Sequence, residues 1–247
     1  MITSYHRPKT MPEALELLKQ TDTLPLGGGT LLSSLKSASV EVVDLQSLGL
    51  STIQEKGNNL EIGATVTLQA LLKSEHIPDA LKAALKLEAP LNIRNAATVA
   101  GTLVAADGSS TFATVMLALD TKLNMQPGEE EIEIGNFLPM RSEMLHGKLI
   151  TTITIPLNVK LAFESVARTP SDKPIVCAVL AKWPSGRTRL ALGGYGKAPL
   201  LAMDGTESEG LETAARNAFH EATDEWASAE YRMDVAATLA KRCFVAN

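Results

Sequence analysis

The sequence predicts an α+β fold built in two parts, and three observations predict it. With 247 residues, 45% of them hydrophobic, the chain can bury a core as one large domain or two small ones. Over the first two thirds, short apolar runs alternate with helix-period patterns and glycine-rich loops. In the last third the order changes to three strand-like runs and then two helical ones, the arrangement of an α+β domain. The change falls near Leu157, Asn158 and Val159.

The first helix opens at Thr10, with Glu13 three residues on as its capping-box partner and Pro12 tolerated in the first turn. Ala14, Leu15, Leu17 and Leu18 give it one apolar face. Leu24-Pro25-Leu26 leads into Gly27-Gly28-Gly29-Thr30, a helical run follows over 31–35, and 40–45 reads as a buried strand. After Gly57-Asn58-Asn59, Leu60-Glu61-Ile62 is a strand, Thr67 caps a short helix to Leu72, and Pro78 starts another to Leu87. The small-residue stretch 96–106 reads as a loop ahead of a helix over about 109–119. Leu123-Asn124-Met125, Pro127-Gly128 and Ile132-Glu133-Ile134 read as a hairpin, and 148–156 alternates like a strand. The last third offers strands over 161–167, 175–182 and 188–192, then helices over 208–221 and 228–243.

Composition removes several functions. Lys and Arg number 23 against 28 Asp and Glu, a net charge of −5, which argues against a protein that neutralises nucleic-acid phosphates. Cys177 and Cys243 form no C-x-x-C pair, so neither a disulfide framework nor a cysteine metal site is expected. The first eight residues, Met1 to Pro8, hold no apolar signal core, and no run approaches ~18 apolar residues. A cytoplasmic protein is expected. His6, His76, His146 and His220 are scattered, and Glu129-Glu130-Glu131 reads as a charged hairpin tip. There is no nucleophile elbow, and neither cysteine has an obvious base. No catalytic residue and no metal ligand is assigned, which favours chemistry that belongs to a cofactor.

Two segments could hold such a cofactor. Gly27-Gly28-Gly29-Thr30 follows a strand and precedes a helix, so its backbone N–H groups could approach a pyrophosphate closely, although it is neither a P-loop nor a G-x-G-x-x-G fingerprint. A tight turn would look the same. The stretch from Thr98 to Ser110 is rich in hydroxyls and small side chains and carries Asp107. It could bind a phosphate through amides and a ribose through Asp107, or simply be a packed loop.

Several of these residues, taken in order, resemble a known family. Tyr5-His6-Arg7-Pro8, Leu26-Gly27-Gly28-Gly29-Thr30, Val43-Asp44-Leu45, Ile62-Gly63-Ala64, Ile93-Arg94-Asn95 with Thr98 to Leu103, Leu192-Gly193-Gly194-Tyr195 and Ala229-Glu230-Tyr231-Arg232 are similar to marks of the FAD-binding medium subunit of molybdenum hydroxylases, the carbon monoxide dehydrogenase and xanthine dehydrogenase group. The resemblance covers essentially the whole chain. It implies a two-subdomain FAD-binding region of the vanillyl-alcohol-oxidase (PCMH) type over 1–157, with subdomains of about 1–56 and 57–157. A C-terminal domain over 158–247 follows, with a three-stranded antiparallel sheet and helices. It also implies partners, a molybdopterin-binding large subunit and a small subunit with 2Fe–2S clusters, and electrons passing from molybdenum through iron–sulfur to FAD and on to an acceptor.

Carried over residue by residue, the resemblance places Leu26, Gly27, Gly28, Gly29, Thr30 and Leu31 around the FAD pyrophosphate, with Thr98, Ala100, Gly101 and Thr102 as the second loop. Asp107 and Thr111 complete that loop, and Ile150 lies near the flavin ring or in the core. The chain also departs from the family. Relatives commonly carry Asp where Leu31 stands, Gly-Gly-Asn where Ala100-Gly101-Thr102 stands, and Ser-Pro then Asp where Asp107-Gly108 and Thr111 stand. Two other functions follow from those departures and from the fold: a flavin-free scaffold that docks partner subunits, and a stand-alone flavoenzyme, for which no catalytic acid or base is found.

Overall fold

The computed structural model describes residues 2–32, 39–206 and 209–246. The chain divides into two units interleaved in sequence: Met1–Ser74, Leu91–Ala105 and Lys122–Ile155 make the first, and Glu75–Pro90, Ala106–Thr121 and Pro156–Asn247 the second.

In the first unit, β1 (Ile2–His6), β2 (Thr23–Leu26) and β3 (Val40–Asp44) form a parallel sheet with β3 in the centre. Helix α1 (Met11–Leu18) crosses it, and Ala14 and Leu18 pack on Val43, Leu45 and Leu149. The Thr10 hydroxyl caps α1 by accepting the Glu13 N–H at 3.4 Å. Glu13 returns its carboxylate to the N–H of Lys9 at 3.0 Å, a capping box shifted by one residue. A second sheet holds β4 (Ile53–Lys56), β5 (Asn59–Gly63), β6 (Lys122–Gln126), β7 (Glu130–Glu133) and β8 (Leu149–Pro156), in the order β4-β5-β8-β6-β7. Helices α2 (Leu68–Leu72), α4 (Leu91–Arg94), α5 (Val99–Ala105) and α7 (Ile134–Met144) complete the unit.

The second unit is a sheet covered on both faces. Strands β9 (Lys160–Val166), β10 (Val176–Lys182), β11 (Thr188–Gly193) and β12 (Leu200–Gly205) run antiparallel in the order β12-β11-β10-β9. On one face Val176, Ala178 and Leu180 meet α8 (Leu211–Ala218) and α9 (Ala229–Ala246) through Leu211, Ala215, Ala236 and Leu239. From the other come α3 (Asp79–Glu88) and α6 (Thr111–Ala118), with Cys177 Sγ 3.7 Å from Thr114 Oγ1. Every residue of β11 and all but the last of β10 are buried, as two-sided cover requires.

Four expectations change. The C-terminal sheet has four strands rather than three: the edge strand β12, Leu-Leu-Ala-Met-Asp-Gly, is half-exposed and lacks a buried alternation, which hid it. The stretch read as a loop over 96–106 contains α5, because Thr98 turns its hydroxyl inward as a cap. Strand β1 and helix α7 were not anticipated. Ile134, expected in the hairpin, opens α7 instead. The helical run over 31–35 and the start of the one over 208–221 fall partly outside the described residues. Among the described residues no helix is long and apolar enough to cross a membrane.

Candidate functional site

The first unit brings the two predicted loops into backbone contact. Strand β2 ends at Leu26 and runs into the glycines, where a Cβ on Gly28 would lie 1.7 Å from the carbonyl oxygen of Ala96. A Cβ on Gly27 would lie 2.8 Å from Thr98 Oγ1. Only glycine permits this approach. Among the described residues, the N–H groups of Gly27, Gly28 and Gly29 meet no protein acceptor, so three successive donors are left to a ligand or to water. Successive amides of this kind form an anion-binding concavity.

The second loop is held from within. Val99 and Ala100 donate to the carbonyls of Val66 and Ala64 at 2.8 and 3.3 Å. The hydroxyl of buried Thr98 accepts from Gly101 N–H at 3.2 Å, and Thr102 returns its own hydroxyl to the Thr98 carbonyl at 2.8 Å. These hydroxyls therefore build α5, and the surface they leave toward Gly27 is the packed flank of a cradle. Leu31 is 55% exposed, while Ile150 on β8 is buried beside Met125.

Asp107 and Thr111 belong to the second unit. Asp107 is exposed, but its Oδ1 accepts from both the N–H and the hydroxyl of Ser109, and its Oδ2 pairs with Lys173 at 2.9 Å. Burial pushes its pKa up, yet the Lys173 ammonium and the Ser109 hydrogen bonds outweigh that and hold it below the usual carboxylate range. Thr111 is buried and donates its hydroxyl to the Ala84 carbonyl at 2.7 Å. Gly108, between them, lies flat on the segment after β11: its N–H reaches the Gly196 carbonyl at 2.9 Å, and a Cβ there would strike the Tyr195 carbonyl at 1.8 Å. Tyr195 in turn lies under the guanidinium of buried Arg232, 5.1 Å from its ring centre. The two C-terminal sequence marks thus meet as a structural clamp.

Sequence reasoning missed Lys173 and Glu88. Lys173 gives no sequence signal. Glu88 gives a faint one, since an acid as the last residue of α3 opposes the helix dipole and calls for a specific partner. That partner is the N-terminus of α6, where Phe112 N–H donates to Glu88 Oε2 at 2.8 Å.

Comparison with known proteins gives the same answer along the chain. Residues 1–158 match the model of the FAD binding domain in molybdopterin dehydrogenase. The chain is 28% identical over 248 residues to YgfM of Escherichia coli strain K12, covering 97% of this chain and 94% of that protein. It is 26% identical over 220 residues to the glyceraldehyde dehydrogenase medium chain of Sulfolobus acidocaldarius, covering 81% and 78%. Its fold superposes on a chain of reconstituted CO dehydrogenase from Oligotropha carboxidovorans with a TM-score of 0.85 at 25% identity, covering 98% and 96%. With residues 1–158 matched by the family model, the chain belongs to the FAD-binding family of the molybdopterin dehydrogenases and is an FAD-dependent oxidoreductase subunit.

Proposed function

We propose that this chain is the FAD-binding electron-transfer subunit of a heteromeric molybdenum-containing hydroxylase or dehydrogenase. It passes electrons from the 2Fe–2S clusters of a small subunit, which drain a molybdopterin-binding large subunit, to an external acceptor. The single observation that supports this is the glycine cradle, closed against Ala96 and Thr98, with three N–H groups that meet no protein acceptor among the described residues. Leu26, Gly27, Gly28, Gly29, Thr30 and Leu31 wrap the pyrophosphate, and Thr98, Ala100, Gly101 and Thr102 close the other side. Ile150 shapes the surroundings of the cradle from within the first unit. On this reading 1–157 is the two-subdomain region of the vanillyl-alcohol-oxidase type, 158–247 is the C-terminal domain, and the complex is cytoplasmic. Bound FAD accepts electrons singly and releases them in pairs; this chain binds it, orients it and supplies no acid or base.

The test is an absorbance spectrum and FAD titration of the purified chain beside Gly28→Val, with far-UV circular dichroism to check folding. The wild type carries or takes up FAD, and in the variant, whose Cβ forces the glycine loop away from the Ala96 carbonyl, affinity falls at least about tenfold, the weight of one or two amide contacts to a charged group, while circular dichroism shows that the other elements persist. A chain that stays colourless with FAD present, alone and with its partner subunits, overturns the proposal. It would leave the second reading, a flavin-free docking scaffold. That reading is favoured by the engagement of Asp107 and Thr111 with protein groups.

A further inference from the structure

Two of the sequence marks, Val43-Asp44-Leu45 and Ile62-Gly63-Ala64, lie outside the cradle, and in the fold they act as one brace behind it. Asp44 ends β3, the central strand of the parallel sheet, in register with Leu26, after which the glycines begin. Its side chain is buried and both of its oxygens are engaged. Oδ1 accepts the N–H of Gln46 at 2.9 Å, an Asx turn that bends the chain out of the sheet and into a 3-10 turn over Gln46–Leu48. Oδ2 accepts the hydroxyl of Tyr5 on β1, and Arg7 Nε lies 3.6 Å from it while donating to Ser47 Oγ at 3.0 Å.

The segment that Asp44 starts reaches both sides of the cradle. Leu45 N–H donates to the Leu26 carbonyl at 3.1 Å. That carbonyl shares one planar peptide unit with the Gly27 N–H, so a bond to the first fixes the direction of the second. Further on, the Leu50 carbonyl accepts from Thr65 N–H at 2.9 Å and the Thr52 carbonyl from Gly63 N–H at 2.8 Å. The two backbones lie so close that a Cβ on Gly63 would stand 2.2 Å from the Leu50 oxygen. Between and beside these bonds, Ala64 and Val66 turn their carbonyls the other way, to the N–H groups of Ala100 and Val99 in the second loop. Every residue of this chain of bonds belongs to the first unit.

We propose that Asp44 is a positioning residue for FAD binding. Through Leu45 it sets the peptide plane that aims the Gly27 N–H, and through the same turn it holds the second loop at a fixed distance from the glycines. A site built on backbone donors works only when a supporting layer holds those donors still, and here that layer starts from one buried side chain. The inference rests on the proposed FAD reading for its functional half; the brace itself does not.

The test uses the full chain and compares the wild type with Asp44→Ala, Asp44→Asn, Tyr5→Phe and Ile132→Ala. Ile132 is buried on β7 in the same unit and has no part in the brace. Three quantities are read: urea unfolding, the backbone amide resonances of Gly27, Val99 and Ala100 without FAD, and the FAD dissociation constant by flavin fluorescence. Asp44→Ala should displace all three resonances and weaken FAD at least about tenfold, the weight of a hydrogen bond to a charged group. Asp44→Asn should recover most of both, because its oxygen still accepts from Gln46 and its amide can donate to the Tyr5 oxygen. Ile132→Ala should lose stability and leave the resonances and the dissociation constant where they are, which a merely destabilising role for Asp44 would not predict. A Gly27 resonance or a dissociation constant that keeps its wild-type value in Asp44→Ala overturns the proposal, as does an Ile132→Ala chain that reproduces the same changes. Should Asp44→Ala fail to fold, Tyr5→Phe decides, since it removes only the bond to Oδ2: displaced resonances and weaker FAD support the role, and unchanged values overturn it. A wild type that binds no FAD overturns the FAD reading and this role with it, whereas failure of the role alone leaves wild-type binding intact.

Discussion

Arg232 is a cation with almost no access to water, and its surroundings show what that requires. Its side chain is 1% exposed. One nitrogen reaches both Asp224 oxygens at 2.9 and 2.8 Å, while the others donate to the carbonyls of Ala222, Ala227 and Ile175. Arg232→Met leaves the carboxylate and three carbonyls without this donor, so we expect a loss of about 3–5 kcal/mol in urea unfolding. Arg232→Lys should recover part of it, since an ammonium cannot span the same fork. The cysteines make the opposite case. Burial pushes both Cys177 and Cys243 up to about 12. Neither should react with an alkylating reagent in the native chain at pH 8, and both should react once it is denatured; fast labelling of either thiol would contradict the burial. The sequence offers Arg232 only as part of a family mark. Asp224, Ala222 and Ala227 lie within ten residues of it, but the Ile175 carbonyl is 57 residues away, so the full fork becomes visible only when the start of β10 and α9 are packed.

Short elements in this chain are decided by caps more than by propensity. Helix α5, Val-Ala-Gly-Thr-Leu-Val-Ala, includes a glycine and two β-branched valines, a poor helix former on composition. Thr98 supplies what is missing by accepting the Gly101 N–H. Thr98→Val keeps the side chain's shape and removes that acceptor. It should cost about 1 kcal/mol in unfolding free energy and speed hydrogen exchange at Gly101. An unchanged exchange rate there would show that packing alone holds α5. The same logic explains which elements could be read in advance. Thr67 before α2 announces its helix, and its hydroxyl does accept the expected N–H at 3.1 Å; Ser110 proves to cap α6 in the same way, accepting from Ala113 at 3.1 Å. Helix α7 has no side-chain cap bond and carries Pro139 inside, so no local signal marked it. Strand β1, five residues with none buried, shows no apolar alternation because its place at a sheet edge demands none. The glycine run was legible as a run, but its requirement, the approach of Ala96 and Thr98 about seventy residues on, appears only in the fold. The engagement of Asp107 by Lys173 was not legible, because it depends on a loop far along the chain.

At the scale of the whole molecule, the second unit does not follow the boundary suggested by the change in sequence pattern, and the reason lies in β10. A strand apolar on both faces needs two covers, and the residues after Lys160 supply only α8 and α9 for one of them. The other cover is α6, all eight of whose residues are buried, together with α3. Both come from earlier in the chain and join the second unit through Glu75–Pro90 and Ala106–Thr121. The continuous apolar run from Val176 to Ala181 carried this information, since two helices could not cover both of its faces. A chain cut after residue 158, where the family match ends, keeps α6 and discards β10 and β11, the strands it packs on. The face of this uncharged helix that met those strands, with Phe112, Val115, Met116 and Leu117 among its buried side chains, would then turn to water, α3 alone remaining against it. At roughly 1.5–3 kcal/mol for each large apolar side chain, that exposure rivals the whole stability of an ordinary domain, about 5–15 kcal/mol. We therefore expect the 1–158 fragment to aggregate, or to lack a cooperative transition in urea. Adding residues 159–247 in trans should restore both solubility and cooperativity. A monomeric 1–158 fragment that unfolds in one sharp step would mean that α3 and α6 find another cover, and that the first 158 residues fold without the strands they pack on here.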